Sequence, residues 1–370
     1  MLKNSSKNNN PLFHISRILF GLVFVFSGFV KAVDPLGSTY KFQDYFNAFG
    51  GFWTNLSGLA FGLAIALSTI ELIIGLNLVF AIKTRLTSFL ALLFMLVMTP
   101  LTLYIAFKNP VSDCGCFGDA LVISNWETFW KNIVLLLLLV AVLLTSKKHK
   151  SLFKNQIEWS LVAFFAITAL SIPIYAYNNL PQIDFLPYKK AVNIAAAMAI
   201  PEDAPKDEYT TTFIYEKEGA QQEFTLENYP EGDSTWTFID QKTTLIKEGF
   251  KPKIHNFNIY NEHNEDIVPE LIEYAGYSYL LVMYDINQAS DEGAQKAEAI
   301  YQKYKNTSLR FYAVTASLDN EIEAFKQKNK LTFPFYKCDP ITLKTIIRAN
   351  PGLVLIKNGT IVGKWHWRNF

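Results

Sequence analysis

The sequence predicts a multi-pass α-helical membrane bundle, four helices plus a fifth span, followed by an α/β domain. Three observations carry that expectation. Five apolar runs approach or exceed membrane length, the composition turns polar and β-prone near Asn178, and the last third alternates strand-like with helix-like segments. Half of the 370 residues are hydrophobic and Phe alone supplies 30, values between those of soluble and membrane proteins, so the chain divides into two kinds of structure. A formal charge of +1 offers no field for gathering nucleic acid, which is not expected as a partner.

A helix needs about 20 apolar residues to cross the hydrocarbon core. Candidate spans cover residues 13–30, 56–82, 86–107, 129–145 and 157–177. The fourth is short, but it contains the unbroken apolar run 133–144 and enters through Trp126 and Trp130, side chains that favour the water interface. The fifth opens at Trp159 and closes near Pro173, Tyr175 and Tyr177. Lys31 and Asp34 stand where a cleaved leader would need small residues, so the first run reads as a span.

Basic residues near span ends stay cytoplasmic. Lys3, Lys7 and Arg17 precede or open the first span, Lys83 and Arg85 separate the second and third, and Lys147, Lys148, Lys150 and Lys154 separate the fourth and fifth. All three clusters fall on one side of the membrane. This predicts a cytoplasmic amino terminus (residues 1–12), with the loop around Cys114 and the carboxy-terminal half on the opposite, outer side.

Residues 178–206 read as a Pro-containing linker with an apolar patch at 191–200. Residues 207–253 read as β-rich, with a hairpin of 210–215 and 222–226 around Glu218-Gly219 and a further strand at 235–239. A strand is also expected at 255–260. The order then becomes strand 279–284, helix 291–304, strand 309–314 and helix 319–328, a rhythm that implies parallel pairing. A strand at 333–336, a short helix at 341–348 and a hairpin of 353–357 and 360–365 across Asn358-Gly359 close the chain.

A β-α-β-α unit closed by a Pro-led hairpin resembles the thioredoxin fold over residues 254–370. The resemblance implies that Pro351 holds the cis-proline position in a client-binding groove. Where that family carries Cys-x-x-Cys, this chain reads Ile286-Asn287-Gln288-Ala289-Ser290. No thiol stands there, so the domain is expected to be redox-inactive. Cys338 reads as a buried small hydrophobe, or as a resolving partner for a second thiol.

The chain has three cysteines, and two of them stand in Asp113-Cys114-Gly115-Cys116-Phe117-Gly118, between the third and fourth spans. A disulfide needs Cα atoms about 4.4 to 6.8 Å apart. Two residues separated by one can meet that only in a bent backbone, which Gly115 allows. So small a ring is strained, and strained bridges are the labile, electron-passing ones. Cys114 and Cys116 are therefore candidate redox residues. Soft-metal binding and simple packing are the competing readings, though no His or Met lies close in sequence and two thiols do not complete a zinc site.

Arg17, Gly21, Ser27-Gly28, Lys31 and Asp34-Pro35, with Glu71 and Gly75 and then Cys114-Gly115-Cys116-Phe117-Gly118, resemble the DoxX and MauE families of bacterial membrane proteins over residues 13–145. That resemblance implies a four-helix bundle. It also implies a part in maturing exported proteins that need disulfides, in a manner likened to vitamin K epoxide reductase and DsbB-type proteins. The whole layout is similar to a DoxX-like group from Bacteroidetes. Glu71, an ionisable group within an apolar span, reads either as a proton carrier for thiol chemistry or as the ion-pair partner of Arg17 or Lys31. Pro100 is expected to kink the third span.

The expected function is thiol–disulfide exchange or maturation of exported proteins by Cys114 and Cys116, supported by Gly115, Phe117, Gly118, Glu71, Arg17 and Lys31. The C-terminal domain would hold clients or thiol partners. Turnover needs an electron acceptor, a quinone in the bundle or a partner's cysteines, and the chain displays no motif for either. A non-catalytic membrane scaffold is the alternative, and metal handling a second.

Overall fold

The computed structural model describes residues 10–146 and 153–370. The basic residues Lys3, Lys7, Lys147, Lys148 and Lys150, used above for orientation, lie outside the described residues.

Among the described residues, five helices are long and apolar enough to cross a membrane. α1 spans Pro11–Val33, opened by Pro11 and by the Asn10 side chain accepting from the Leu12 amide. A second helix, α2 (Pro35–Phe49), follows at once, started by Pro35 and by Asp34 accepting from the Gly37 amide at 2.8 Å. It is too polar to span, and the sequence reading did not anticipate it. A 3₁₀ stretch (Gly51–Leu59) leads into α3 (Ala60–Val79), followed by α4 (Thr84–Lys108), α5 (Asn125–Ser146) and α6 (Asn155–Asn178). α4 continues through Pro100.

Phe20 and Phe24 of α1, Ile74 and Leu78 of α3, Met95 of α4 and Leu139 of α5 form the bundle's core. α6 packs against α1 and α3, with Ala169 against Ala32 and Leu72. Leu93, Val97, Leu137 and Ile167 stay exposed on the outside, as lipid-facing residues must. α1 and α3 approach most closely, through small residues. A Cβ on Gly28 would lie 2.7 Å from the Leu72 amide nitrogen, and one on Gly75 2.6 Å from that of Val25. In lipid such close packing replaces the hydrophobic drive that water supplies elsewhere.

The C-terminal half opens with a short helix α7 (Ile194–Met198) and a three-stranded antiparallel sheet: β1 (Glu208–Lys217), β2 (Ala220–Thr225) and β3 (Thr237–Lys247), in the order β2-β1-β3. The ends of this sheet meet: the Phe250 amide donates to the Pro205 carbonyl at 2.8 Å and the Ile254 amide to that of Ala197 at 3.2 Å.

A six-stranded sheet follows, built from β4 (Ile259–Tyr260), β5 (Tyr277–Met283), β6 (Arg310–Thr315), β7 (Phe335–Cys338), β8 (Gly352–Lys357) and β9 (Thr360–His366) in the order β4-β7-β6-β5-β8-β9. β5, β6 and β7 run parallel, β8 pairs antiparallel with β5, β9 antiparallel with β8, and β4 antiparallel with β7. The helices α8 (Val268–Glu273), α9 (Asp291–Tyr304), α10 (Asp319–Asn329) and α11 (Pro340–Ile346) complete two hydrophobic cores, one on each face. This is the thioredoxin-like arrangement expected from the sequence, with a 3₁₀ turn (Trp367–Asn369) following β9.

One expectation needs correction. Residues 178–206 are no free linker. Tyr188 and Ile194 are buried in the C-terminal core, and the backbone of Ala191, Val192 and Ile194 pairs with Gly359 and Ile361 beside β9. An unpaired strand edge offers a row of free backbone groups, and this segment covers it.

Candidate functional site

The loop between α4 and α5 carries the chemistry. Gly115 sits at φ +66° and Gly118 at φ +50°, both in the left-handed region that favours glycine. The Gly118 amide closes the turn onto the Gly115 carbonyl at 3.1 Å. Asp113 accepts from the Gly115 amide at 2.9 Å, and its other oxygen pairs with Lys41 of α2 at 2.7 Å. Tyr45, one turn along α2, donates to the Cys114 carbonyl at 2.9 Å. The unanticipated helix α2 is thus the shelf on which the loop rests.

Bent this way, the loop brings the Cys114 and Cys116 sulfurs to 3.2 Å, both as free thiols. Their surroundings differ. Cys114 is partly exposed, whereas Cys116 is buried and lines a cavity of about 30 Å³ with Ser27, Lys31, Glu71, Lys131 and Asn132. Phe117 packs on Phe26, with the Lys131 ammonium 4.7 Å above its ring.

Beneath the loop, Lys31 donates to both oxygens of Glu71 at 2.8 and 2.7 Å and to Ser27 Oγ at 2.8 Å. Ser27 Oγ in turn lies 2.8 Å from Glu71 Oε2 and 2.8 Å from the Cys116 carbonyl. With a single hydroxyl proton, Ser27 can serve only one of those acceptors fully. The charge pair inside the bundle is therefore wired to the backbone of the inner cysteine.

Either sulfur could carry the shared proton, and the nearby charges decide which does. A hydrogen bond from Cys114 lowers the Cys116 pKa from 9.0 to about 6, with help from Lys131 and Lys31 against burial and Glu71. The same hydrogen bond, followed by burial and the neighbouring sulfur's charge, pushes the Cys114 thiol far up. The pair therefore has a built-in polarity: the thiolate form is favoured at the inner sulfur and disfavoured at the outer one. Reactivity of the pair is expected to rise with pH through about 6, because only the thiolate is a nucleophile. In Lys131→Met that midpoint should move upward, as read from exchange rates with a small disulfide across a pH series.

Residues 9–145 match the family described as methylamine utilisation protein MauE. The match covers α1 to α5 and the cysteine loop together and stops before α6. Within the MauE-like half, Arg17 does not reach Glu71. It donates to the carbonyls of Leu78 and Val79, at the far end of α3, and Lys31 alone of the two expected cations pairs with Glu71. A groove of about 850 Å³ lined by Lys83, Leu86, Phe89 and Leu144 lies at that same far end, away from the cysteines and walled largely by apolar side chains.

Residues 209–248 match a domain of unknown function, DUF8463. No curated protein matches the chain. Among solved structures, a solution structure described as a candidate protein disulfide isomerase from Bacteroides thetaiotaomicron is 16% identical, covering 31% of this chain and 76% of its own, with a TM-score of 0.26.

In the C-terminal domain the Asn350–Pro351 bond is cis, as expected, but Pro351 is buried: a Cβ on Gly293 would meet its ring at 2.8 Å. Cys338 lies in the core among Ile259, Val282 and Val314, and burial raises its pKa to about 12. It is placed as a packing residue. Among the described residues, no three His, Cys, Asp or Glu side chains converge as metal ligands would.

The end of β5 and helix α11 lie against the MauE-like half. Tyr284, at the end of β5, meets Tyr40 of α2 edge-on at 6.5 Å, and the Lys344 ammonium stands 4.6 Å from the same Tyr40 ring. A cavity of about 260 Å³ remains between the halves, lined by Lys41, Asp44, Asp113, Gly115, Lys344 and Arg348. Sequence reasoning missed Lys41, Tyr45, Lys131 and Arg348. Only the Asp34-Pro35 helix start could have pointed toward the first two.

Proposed function

We propose that this protein exchanges thiols and disulfides with exported proteins through Cys114 and Cys116, at the periplasmic face of a bacterial inner membrane. The observation that carries this reading is the 3.2 Å approach of two sulfurs in unequal electrostatic settings, one partly exposed and one facing a buried Lys–Glu pair. The match to the MauE family supports it, as does a bundle with Lys83 and Arg85 at the end opposite the cysteine loop.

In the oxidised form, a client thiolate attacks Cys114 Sγ. The Cys114–Cys116 bond breaks, a client–Cys114 bond forms, and Cys116 leaves as the thiolate stabilised by Lys131 and Lys31. A second client thiolate then displaces Cys114, so one client disulfide forms and two loop thiols remain. With a disulfide client the steps run in reverse, Cys114 first passing its proton to the Cys116 thiolate 3.2 Å away so that it can attack. Net turnover passes the electron pair to an acceptor, a quinone or a partner's disulfide. The C-terminal domain, whose Cys338 is buried as a packing residue, takes no electron in this scheme and holds the partner or the loop.

Acid-quenched membranes alkylated with and without reductant test the reading. The wild type should show a reductant-dependent shift that a Cys114→Ser/Cys116→Ser variant lacks, and that variant should alter the thiol status of exported proteins. A pair that is never oxidised, with unaltered exported thiols, would leave the scaffold reading in its place.

A further inference from the structure

We propose that Arg348 of the C-terminal domain is a positioning residue for the cysteine site, holding the loop in the geometry on which the redox reading rests. Arg348 stands three residues before Pro351 and is only 6% exposed. Its Nε donates to Asp34 at 3.0 and 2.9 Å, Nη2 reaches Asp34 at 2.9 Å and Asp119 at 3.1 Å, and Nη1 donates to the Lys344 carbonyl. Its guanidinium also stands 5.4 Å from the Tyr40 ring.

The two carboxylates mark places that matter. Asp34 lies three residues after Lys31, at the joint between α1 and α2, and caps α2. Asp119 directly follows Gly118. The segment from Asp113 to Asp119 is therefore pinned at both ends by cations from outside it: Asp113 by Lys41, and Asp119 by Arg348. One pin comes from the bundle and the other from the C-terminal domain.

A planar fork that reaches two carboxylates is a task for arginine, and lysine offers only a point charge. Arg348 is buried and Asp34 largely so, while Asp119 is about half exposed; taking such charges out of water costs desolvation that their attraction does not fully return, so the cluster contributes little net stability. What it supplies here is a fixed position. A domain with no cysteine in its 286–290 segment takes part in the site as the holder of another segment's thiols.

The test uses full-length, fully reduced protein in nanodiscs and follows alkylation of Cys114 and Cys116 separately by mass spectrometry across a pH series. Arg348→Met should raise the Cys114 rate by about tenfold, as local opening exposes it, and should draw the two thiols' pH midpoints together. Arg348→Lys should fall between. Arg368→Met, which removes contacts to Asn178 at the end of α6 and touches nothing in the loop, should stay within about twofold of wild type.

Because Arg348→Met leaves two carboxylates without their cation, the neutral variant Arg348→Met/Asp34→Asn/Asp119→Asn is measured beside it. Fast alkylation in both supports positioning. A return to the wild-type rate in the neutral variant, an Arg348→Met rate within twofold of wild type, or an equal effect from Arg368→Met would each overturn the proposal. Alkylation of reduced thiols needs no turnover, so this result stands apart from whether the pair cycles in membranes.

Discussion

Replacing Cys116 with serine is expected to make Cys114 accumulate covalent adducts with client proteins, whereas replacing Cys114 should yield few. Thiol exchange passes through a mixed disulfide, and the intermediate persists when the sulfur that would resolve it is absent. Cys114 is the partly exposed sulfur, and Cys116 is buried against Ser27, Lys31 and Lys131. Non-reducing gels of membranes should show at least about tenfold more adduct for Cys116→Ser than for Cys114→Ser, a ratio set by access and leaving-group quality. Equal trapping, or trapping on Cys116 alone, would refute the assigned order, and the adducts themselves would identify the clients.

The second large effect belongs to the charge pair. Lys31→Met should destabilise the protein by about 3 to 5 kcal/mol, the usual consequence of leaving one member of a buried ion pair alone. Glu71 is 4% exposed and keeps only Ser27 as a donor once Lys31 is gone. Adding Glu71→Gln should recover most of the loss, because replacing both charges removes the uncompensated one. Thermal unfolding in a fixed detergent compares the three proteins. A double variant no more stable than Lys31→Met would show that charge compensation is not what Lys31 provides.

How far the sequence could be read depended on how local each signal is. The five spans were legible because a crossing helix must declare itself in consecutive apolar residues, and the C-terminal strands and helices because their alternation is nearly uninterrupted. α2 was not, since its face toward the loop mixes Tyr40, Lys41 and Tyr45 with no apolar period, leaving only Asp34-Pro35 as a start signal. The cysteine loop announced itself through Gly115, whereas the choice between Arg17 and Lys31 for Glu71 depends on the register of α1 against α3. That register is set by glycine contacts visible only in three dimensions. Arg348 was beyond reach, because its partners lie 314 and 229 residues away. The segment 178–206 was misread because its prolines resemble those of a free tether, although its apolar patch at 191–200 was the trace of its burial.

The meeting of Pro205 with Phe250, and of Ala197 with Ile254, has a consequence for how this protein could have been assembled. Residues on both sides of that closure, Ile194 before it and Phe257 after it, belong to one core, so the β2-β1-β3 sheet is an insertion whose two feet touch. An insertion rooted at adjacent points can be gained, lengthened or lost without opening the domain beneath it. The DUF8463 arm can therefore diverge at its own pace, while the cysteine loop and the domain that grips it remain bound to change together.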